Sequence, residues 1–377
     1  MSVDIEENQE EALAEDLRSI EAGPPRSRTL SSLYGLEELA KDQNRSLVRI
    51  DSLPGWPGSD SDGDREGHGL GEKINAAIGG GIAPGTIIGV GAAAAKSGKT
   101  AFVHQLADGL ALRAAQVLAG KAQGPLTPLI ILSEMDARAL SWRTLARWTG
   151  YPANLFRAGK DAVGMFGYNE NMQGEARKAL EEGSLLDCAR SLTRILSQTK
   201  NGKGLVEELK TTIKELRGRY KKFDVLPIVM IDPIQRFMST GKGSANESMD
   251  EFANALNEET RAGDWCVLLT SDATKATAMG TTKQDNPGAS AAEEGAAVFR
   301  GSYTLQHILD TGLYLRPVTE GSKGDNDTRV LEVVSVLSRW AGPGKPTSID
   351  FHGPTMRFSR PRGNAAPSST YNPPGRQ

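Results

Sequence analysis

One stretch constrains the fold of this chain more than any other. Thr86-Ile87-Ile88-Gly89-Val90-Gly91 has the pattern of a buried strand, and four alanines with Lys96-Ser97 make a small-residue loop. An apolar-periodic helix then opens at Gly98-Lys99-Thr100. A strand, tight loop and helix in that order turn backbone amides and the positive end of a helix dipole toward one point, which suits a polyphosphate. The cradle would run through Ala93, Ala94, Ala95, Lys96, Ser97, Gly98, Lys99, Thr100 and Ala101, with Ala93 where the general phosphate-loop pattern has its first glycine. Lys99 would reach the β- and γ-phosphates of ATP, and the Thr100 hydroxyl would ligate Mg²⁺. The plainer alternative is an Ala/Gly-rich turn carrying a surface lysine, and the strand–loop–helix context favours the nucleotide site.

The chain has 377 residues, 38% of them hydrophobic, enough for one large α/β core or two modest ones. A net charge of −3 provides no global field for nucleic acid, so any such partner must be held by local loops or inside an assembled channel. The two cysteines, Cys188 and Cys266, lack metal-type spacing and suggest a reducing cytoplasm. The four histidines are scattered and read as structural. With no apolar run of about 18 residues, no membrane partner is expected.

Three regions follow from composition. Residues 1–69 form an acidic N-terminal segment and a linker, residues 70–358 a continuous α/β domain, and residues 359–377 a Pro- and Arg-containing tail that reads as disordered. Within 1–22, eight acidic residues face a single Arg18. Leu13, Leu17 and Ile20 can line one face of a short helix for a protein partner, although the composition favours a solubilising disordered tail. Residues 52–69 carry the Pro, Gly, Ser and Asp of a flexible linker.

Inside the domain, Leu129–Leu132, Val225–Ile231 and Cys266–Leu269 read as strands buried on both faces. Helical periodicity marks Leu205–Tyr220 and Met249–Leu256, the latter ended by Gly263. Leu313–Leu315, Val330–Leu337 and Ser348–Phe351 look like an antiparallel meander. The expected fold is α/β, a mostly parallel sheet with helices on both faces and an antiparallel C-terminal edge.

In such sheets ligands bind at the carboxyl ends of the strands. Ser133 and Glu134, Asp232, and Ser271 and Asp272 all arrive there. Asp232 would hold Mg²⁺ beside Thr100, unless it merely caps a turn before Pro233. Glu134 would orient and deprotonate the attacking water, unless it only favours the start of a helix near Asp136.

These segments resemble the RecA-like ATPase domain of the DnaB-type replicative helicases over residues 70–358. The entry Leu70-Gly71-Glu72-Lys73-Ile74 and Gly79 to Gly85, the phosphate loop with alanine first, Leu132-Ser133-Glu134-Met135, and Ile231-Asp232-Pro233-Ile234-Gln235 carry the likeness. The resemblance implies a RecA-like P-loop fold, ATP and Mg²⁺ as cofactors, a hexameric ring or filament of identical subunits, and single-stranded DNA as partner. It also implies a trans-acting cation before Gly342-Pro343, for which Arg339 is available, and a nucleotide sensor at Asp272 where the family has glutamine. Loops 239–246 and 273–295, with Lys242, Lys275 and Lys283, stand where the family contacts DNA. The family's N-terminal recruiting domain has no counterpart here, so a role in a mobile element or in repair fits as well as replication. The expected function is an ATP-driven helicase or translocase. Two rivals share the core: a regulatory or assembly ATPase acting on a protein, which the acidic segment favours, and a weakly hydrolysing scaffold, which Asp272 favours.

Overall fold

The computed structural model describes residues 47–54, 56, 70–92, 97–158, 192–196, 202–237, 245–272, 299, 303–318, 327–339 and 346–359. The parallel half of the sheet is built from β1 (Ile87–Ala92), β2 (Leu129–Ser133), β3 (Thr193–Ile195), β4 (Ile228–Asp232), β5 (Cys266–Asp272) and β6 (Thr311–Pro317). Strands β7 (Thr328–Ser338), β8 (Thr347–His352) and β9 (Arg357–Ser359) continue it antiparallel. Among the described residues these nine strands make one sheet in the order β3-β2-β4-β5-β1-β6-β7-β8-β9. The mostly parallel sheet and antiparallel C-terminal edge expected from the sequence are both present.

Helices cover both faces. In chain order they are α1 (Leu70–Ala77), α2 (Lys99–Leu118), α3 (Ala137–Thr149), α4 (Ala153–Ala158), α5 (Gly202–Arg219), α6 (Ala245–Ala262) and α7 (Tyr303–Ile308). Alternation along the strands divides the core in two. Ile228 and Met230 of β4 join α2 on one face, with Phe102, Leu106 and Leu110. Val229 and Ile231 turn to the other, with Leu209, Phe252 and Trp265 from α5, α6 and the start of β5. A run of apolar residues with period 2 and both sides covered is what a central parallel strand requires. Gly89 marks a place where the helix layer comes close, since a Cβ there would stand 2.8 Å from Leu309.

The folded unit begins at Leu47, upstream of the expected boundary at Leu70. Val48 pairs with Ile82 in a short antiparallel bridge. Leu53 and Trp56, which the linker composition had claimed, are buried on the α2 face, where Trp56 meets Phe102 edge-on with ring centroids 5.2 Å apart. Two large apolar side chains among prolines and glycines outweigh the composition around them, because each removes its surface from water. Residues 57–69, like the tail 360–377, lie outside the described residues.

If Leu53 is part of the core, Leu53→Ala should cost about 2–5 kcal/mol of stability. Urea unfolding measures this, and an unchanged midpoint would return the segment to a linker.

Candidate nucleotide site

The helix that opens the site starts from a residue only glycine tolerates. Gly98 is the N-cap of α2 with φ 84°, and no side chain caps the helix there. A Cβ at Gly98 would also stand 2.9 Å from the Phe358 ring, so β9 packs directly beneath the turn. The uncapped first turn presents amide donors and a positive dipole end at the carboxyl edge of the sheet. Ser97 and Gly98 lead directly into α2, and Lys99, Thr100 and Ala101 form its first turn, while Ala93 to Lys96 lie outside the described residues.

Parallel register then delivers the polar residues to the same edge. Ser133 pairs with Asp232, and Ala92 with Asp272. Asp232 is 1% exposed. Its Oδ1 accepts hydrogen bonds from the Thr100 hydroxyl at 3.1 Å and from the Thr270 hydroxyl at 2.5 Å. Its Oδ2 faces His104 Nε2 at 3.7 Å, and neither of these buried atoms has a hydrogen-bond partner among the described residues. Burial alone would push this carboxyl up. The neighbouring His104 and the Thr270 and Thr100 hydroxyls outweigh that, and Asp232 is held below the usual carboxylate range. Its side chain therefore looks toward the phosphate helix and does not cap the turn at Pro233.

Glu134 follows β2 directly. The N-cap of α3 is Asp136, whose side chain accepts from the Ala139 amide at 2.7 Å, so Glu134 is not needed for capping. Its backbone N–H donates to the Asp232 carbonyl at 3.0 Å, and its Oε2 accepts from Arg236 Nε at 3.0 Å. Asp272 pairs with Lys99, Nζ to Oδ1 at 2.9 Å. Gln235 braces that end of β5, donating to Ser271 Oγ at 3.0 Å and accepting from the Asp272 amide at 3.2 Å.

Arg339 lies elsewhere. Ser338 pairs with Thr311, and Thr311 sits beside Ile88 at the start of β1, so Arg339 is at the amino edge of the parallel strands. It is held there by the His307 carbonyl and by Asp310, 3.6 Å from its Nε. The length of β1 separates it from its own phosphate loop, roughly 20 Å for six residues. Lys242, Lys275 and Lys283 lie outside the described residues.

The arrangement fits Mg·ATP. Magnesium commonly takes one or two protein oxygens and completes its shell with phosphates and water. Thr100 Oγ1 and the carboxylate of Asp232, with Oδ2 unpartnered, supply such a pair. No cluster of three or more His, Cys, Asp or Glu poised for a metal occurs among the described residues, so a dedicated all-protein cage is not on offer.

No family model matches this chain, and no curated protein matches it. Solved structures do. An isolated ATPase domain of the DnaB-like helicase group superposes with a TM-score of 0.59 at 15% identity, covering 88% of this chain and 97% of that one. A DnaB-like replicative helicase, from a study of its interactions with primase, gives a TM-score of 0.59 at 16% identity over 94% of this chain and 76% of that one. The fold is that of a RecA-like, DnaB-like helicase ATPase domain. At such identities the likeness speaks for the fold alone.

Several residues at this site were not singled out from the sequence. His104 follows Thr100 by one helical turn, a spacing that points both at one target. Thr270 looked like an ordinary strand residue. Arg143 of α3 is a further cation: burial and Arg147 lower its pKa, while Asp232 and Glu134 act in the opposite direction. Its helix is fixed against α2 by Arg147 Nε donating to Asp108 at 2.7 Å. No helix among the described residues is long and apolar enough to cross a membrane.

The Thr270 bond has a measurable consequence. Thr270→Val keeps the shape and removes a donor from a buried carboxylate, at a cost of about 1–3 kcal/mol. A carboxyl held low adds stability that is lost as pH falls through its folded pKa. Raising that pKa toward the unfolded value should make the variant's acid-side loss smaller and level off at higher pH than in the wild type. Urea midpoints across an acid series check both, and coincident pH profiles would contradict the role assigned to Thr270.

Proposed function

We propose that this chain is an ATP-hydrolysing motor that assembles into a ring or filament and acts on DNA as a helicase or translocase. The reading is carried by the convergence of Lys99, Thr100, Asp232 and Glu134 at one edge of a fold shared with helicase ATPase domains. Bound Mg·ATP would supply the reactive γ-phosphorus with part of its charge neutralised. Lys99 and the amides at the start of α2 hold the β- and γ-phosphates, and Thr100 with Asp232 holds the ion. Glu134 orients the attacking water and takes its proton. Bond formation from that water oxygen to phosphorus then accompanies loss of the β–γ bridging oxygen.

Asp272 modifies this scheme. Its pairing with Lys99 offsets the repulsion a carboxylate would exert on a γ-phosphate, and an arriving phosphate competes with it for the ammonium. Arg339, on the far edge of the sheet, can meet a phosphate only across a subunit interface, and its side chain is 48% exposed. The rival reading, action on a protein partner without DNA unwinding, draws on the acidic residues 1–22.

Glu134→Gln should retain Mg·ATP binding and lose hydrolysis, whereas Lys99→Ala should lose both. Calorimetry and single-turnover hydrolysis, with and without single-stranded DNA, separate these. Wild-type turnover in Glu134→Gln would move the search for the base to Asp272, and a rate indifferent to DNA would favour the protein-partner reading.

A trans arginine typically contributes about 10³–10⁵ in rate. Arg339→Ala should therefore be nearly inactive yet bind ATP, and should regain turnover when mixed with Lys99→Ala subunits that supply the arginine. Mixed oligomers seen by native mass spectrometry without recovery would count against a trans role.

A further inference from the structure

Directly after β4 the chain makes a short 3-10 turn, Ile234–Phe237. Ile234 and Phe237 are fully buried, which fixes the turn and leaves Gln235 and Arg236 to reach outward. Gln235 goes to the end of β5. Arg236 goes the other way, to Glu134 on the end of β2. A single rigid turn thus touches both the candidate base and the strand that carries the partner of Lys99. The Glu134 backbone is pinned to Asp232, so what remains adjustable is its side chain.

The Glu134–Arg236 pair is unlike the other contacts of the site. Both side chains are open to solvent, 45% and 64% exposed, and the guanidinium has no second carboxylate partner among the described residues. An exposed ion pair of this kind is weak and easily exchanged. While it lasts, a carboxylate oxygen needed to orient water is occupied by a guanidinium N–H. Guanidinium groups bind phosphates in the same forked geometry they use for carboxylates, so a phosphodiester is a direct competitor.

Resting on the function proposed above, we propose that Arg236 is a latch on Glu134, released when a phosphate of single-stranded nucleic acid takes the guanidinium. Hydrolysis is thereby restrained until the nucleic acid is engaged. Arg236 is a positioning residue here, since it acts through Glu134 and not on the nucleotide.

The test uses the full chain, Arg236→Gln and Arg236→Lys, with oligo-dT as the probe. Turnover is measured with and without oligo-dT, and oligo-dT binding is followed by fluorescence anisotropy across a salt series. Arg236→Gln should turn over ATP severalfold faster than wild type in the absence of DNA and lose most of its stimulation by DNA. Its log–log salt slope should be shallower by about 0.7, the value of one single-strand phosphate contact. Arg236→Lys, which keeps the charge without the fork, should fall between. A drop in DNA-free turnover in Arg236→Gln would show that the arginine assists the base, and unchanged stimulation with an unchanged salt slope would remove the latch; either overturns the proposal while leaving the motor reading intact. Absence of turnover in wild type and Lys99→Ala alike would reject the motor reading and the latch with it. Melting curves of the variants guard against a folding defect.

Discussion

A buried carboxylate at the end of β4 organises the carboxyl edge of this sheet. Asp232 receives hydroxyls from α2 and β5 and faces His104 one turn along α2. Burying an anion is costly unless hydrogen bonds and charge compensate it. The compensation at Asp232 comes from the elements that must be aligned for phosphate binding, so the order of the site and the satisfaction of this anion are one requirement. The Oδ2 of Asp232 is left without a hydrogen-bond partner among the described residues, which is compatible with the ion-holding role proposed for it.

Asp310 plays the corresponding part at the opposite edge. It is 1% exposed, accepts from the Ile87 amide at 2.9 Å, and takes two hydrogen bonds from Arg261 at 2.9 and 3.1 Å. Arg261 also donates to the Gly85 carbonyl at 3.2 Å. The start of β1, the end of α6 and the end of β7 are therefore tied to one carboxylate. Arg339 belongs to this second cluster. Its guanidinium is held at a definite place on the rim by the His307 carbonyl and Asp310.

Much of the fold was legible in the sequence because its signals are local and redundant. Central strands such as Leu129–Ser133 are short apolar runs with both faces buried, and α5 and α6 repeat their apolar residues at helical spacing. That Glu134 directly follows β2, that Asp232 ends β4 and that Lys99 and Thr100 open α2 was legible from the apolar runs beside them. The N-terminal boundary was not, since Leu53 and Trp56 are two apolar residues set in a linker-like composition, and only the surface they cover on α2 shows their role. Thr270, His104 and Arg236 were missed for another reason. Each acts through a contact between elements far apart in the chain, as with Arg236 and Glu134, 102 residues apart, and spacing along one element does not encode that.

The pairing of Lys99 with Asp272 shows how this site differs from a simple phosphate trap. A lysine with its side chain 13% exposed would, unpaired, carry a partly desolvated charge. Asp272 offsets that cost, and its own side chain is 58% exposed. In the proposed function a phosphate would replace one anion with another at the same ammonium. Gln235 holds the backbone amide of Asp272, apart from the side chain that pairs with Lys99. The same four-residue turn that carries Gln235 also carries Arg236. The contact of Gln235 with the end of β5 and that of Arg236 with Glu134 are thus carried by one piece of backbone, anchored by Ile234 and Phe237 in the core.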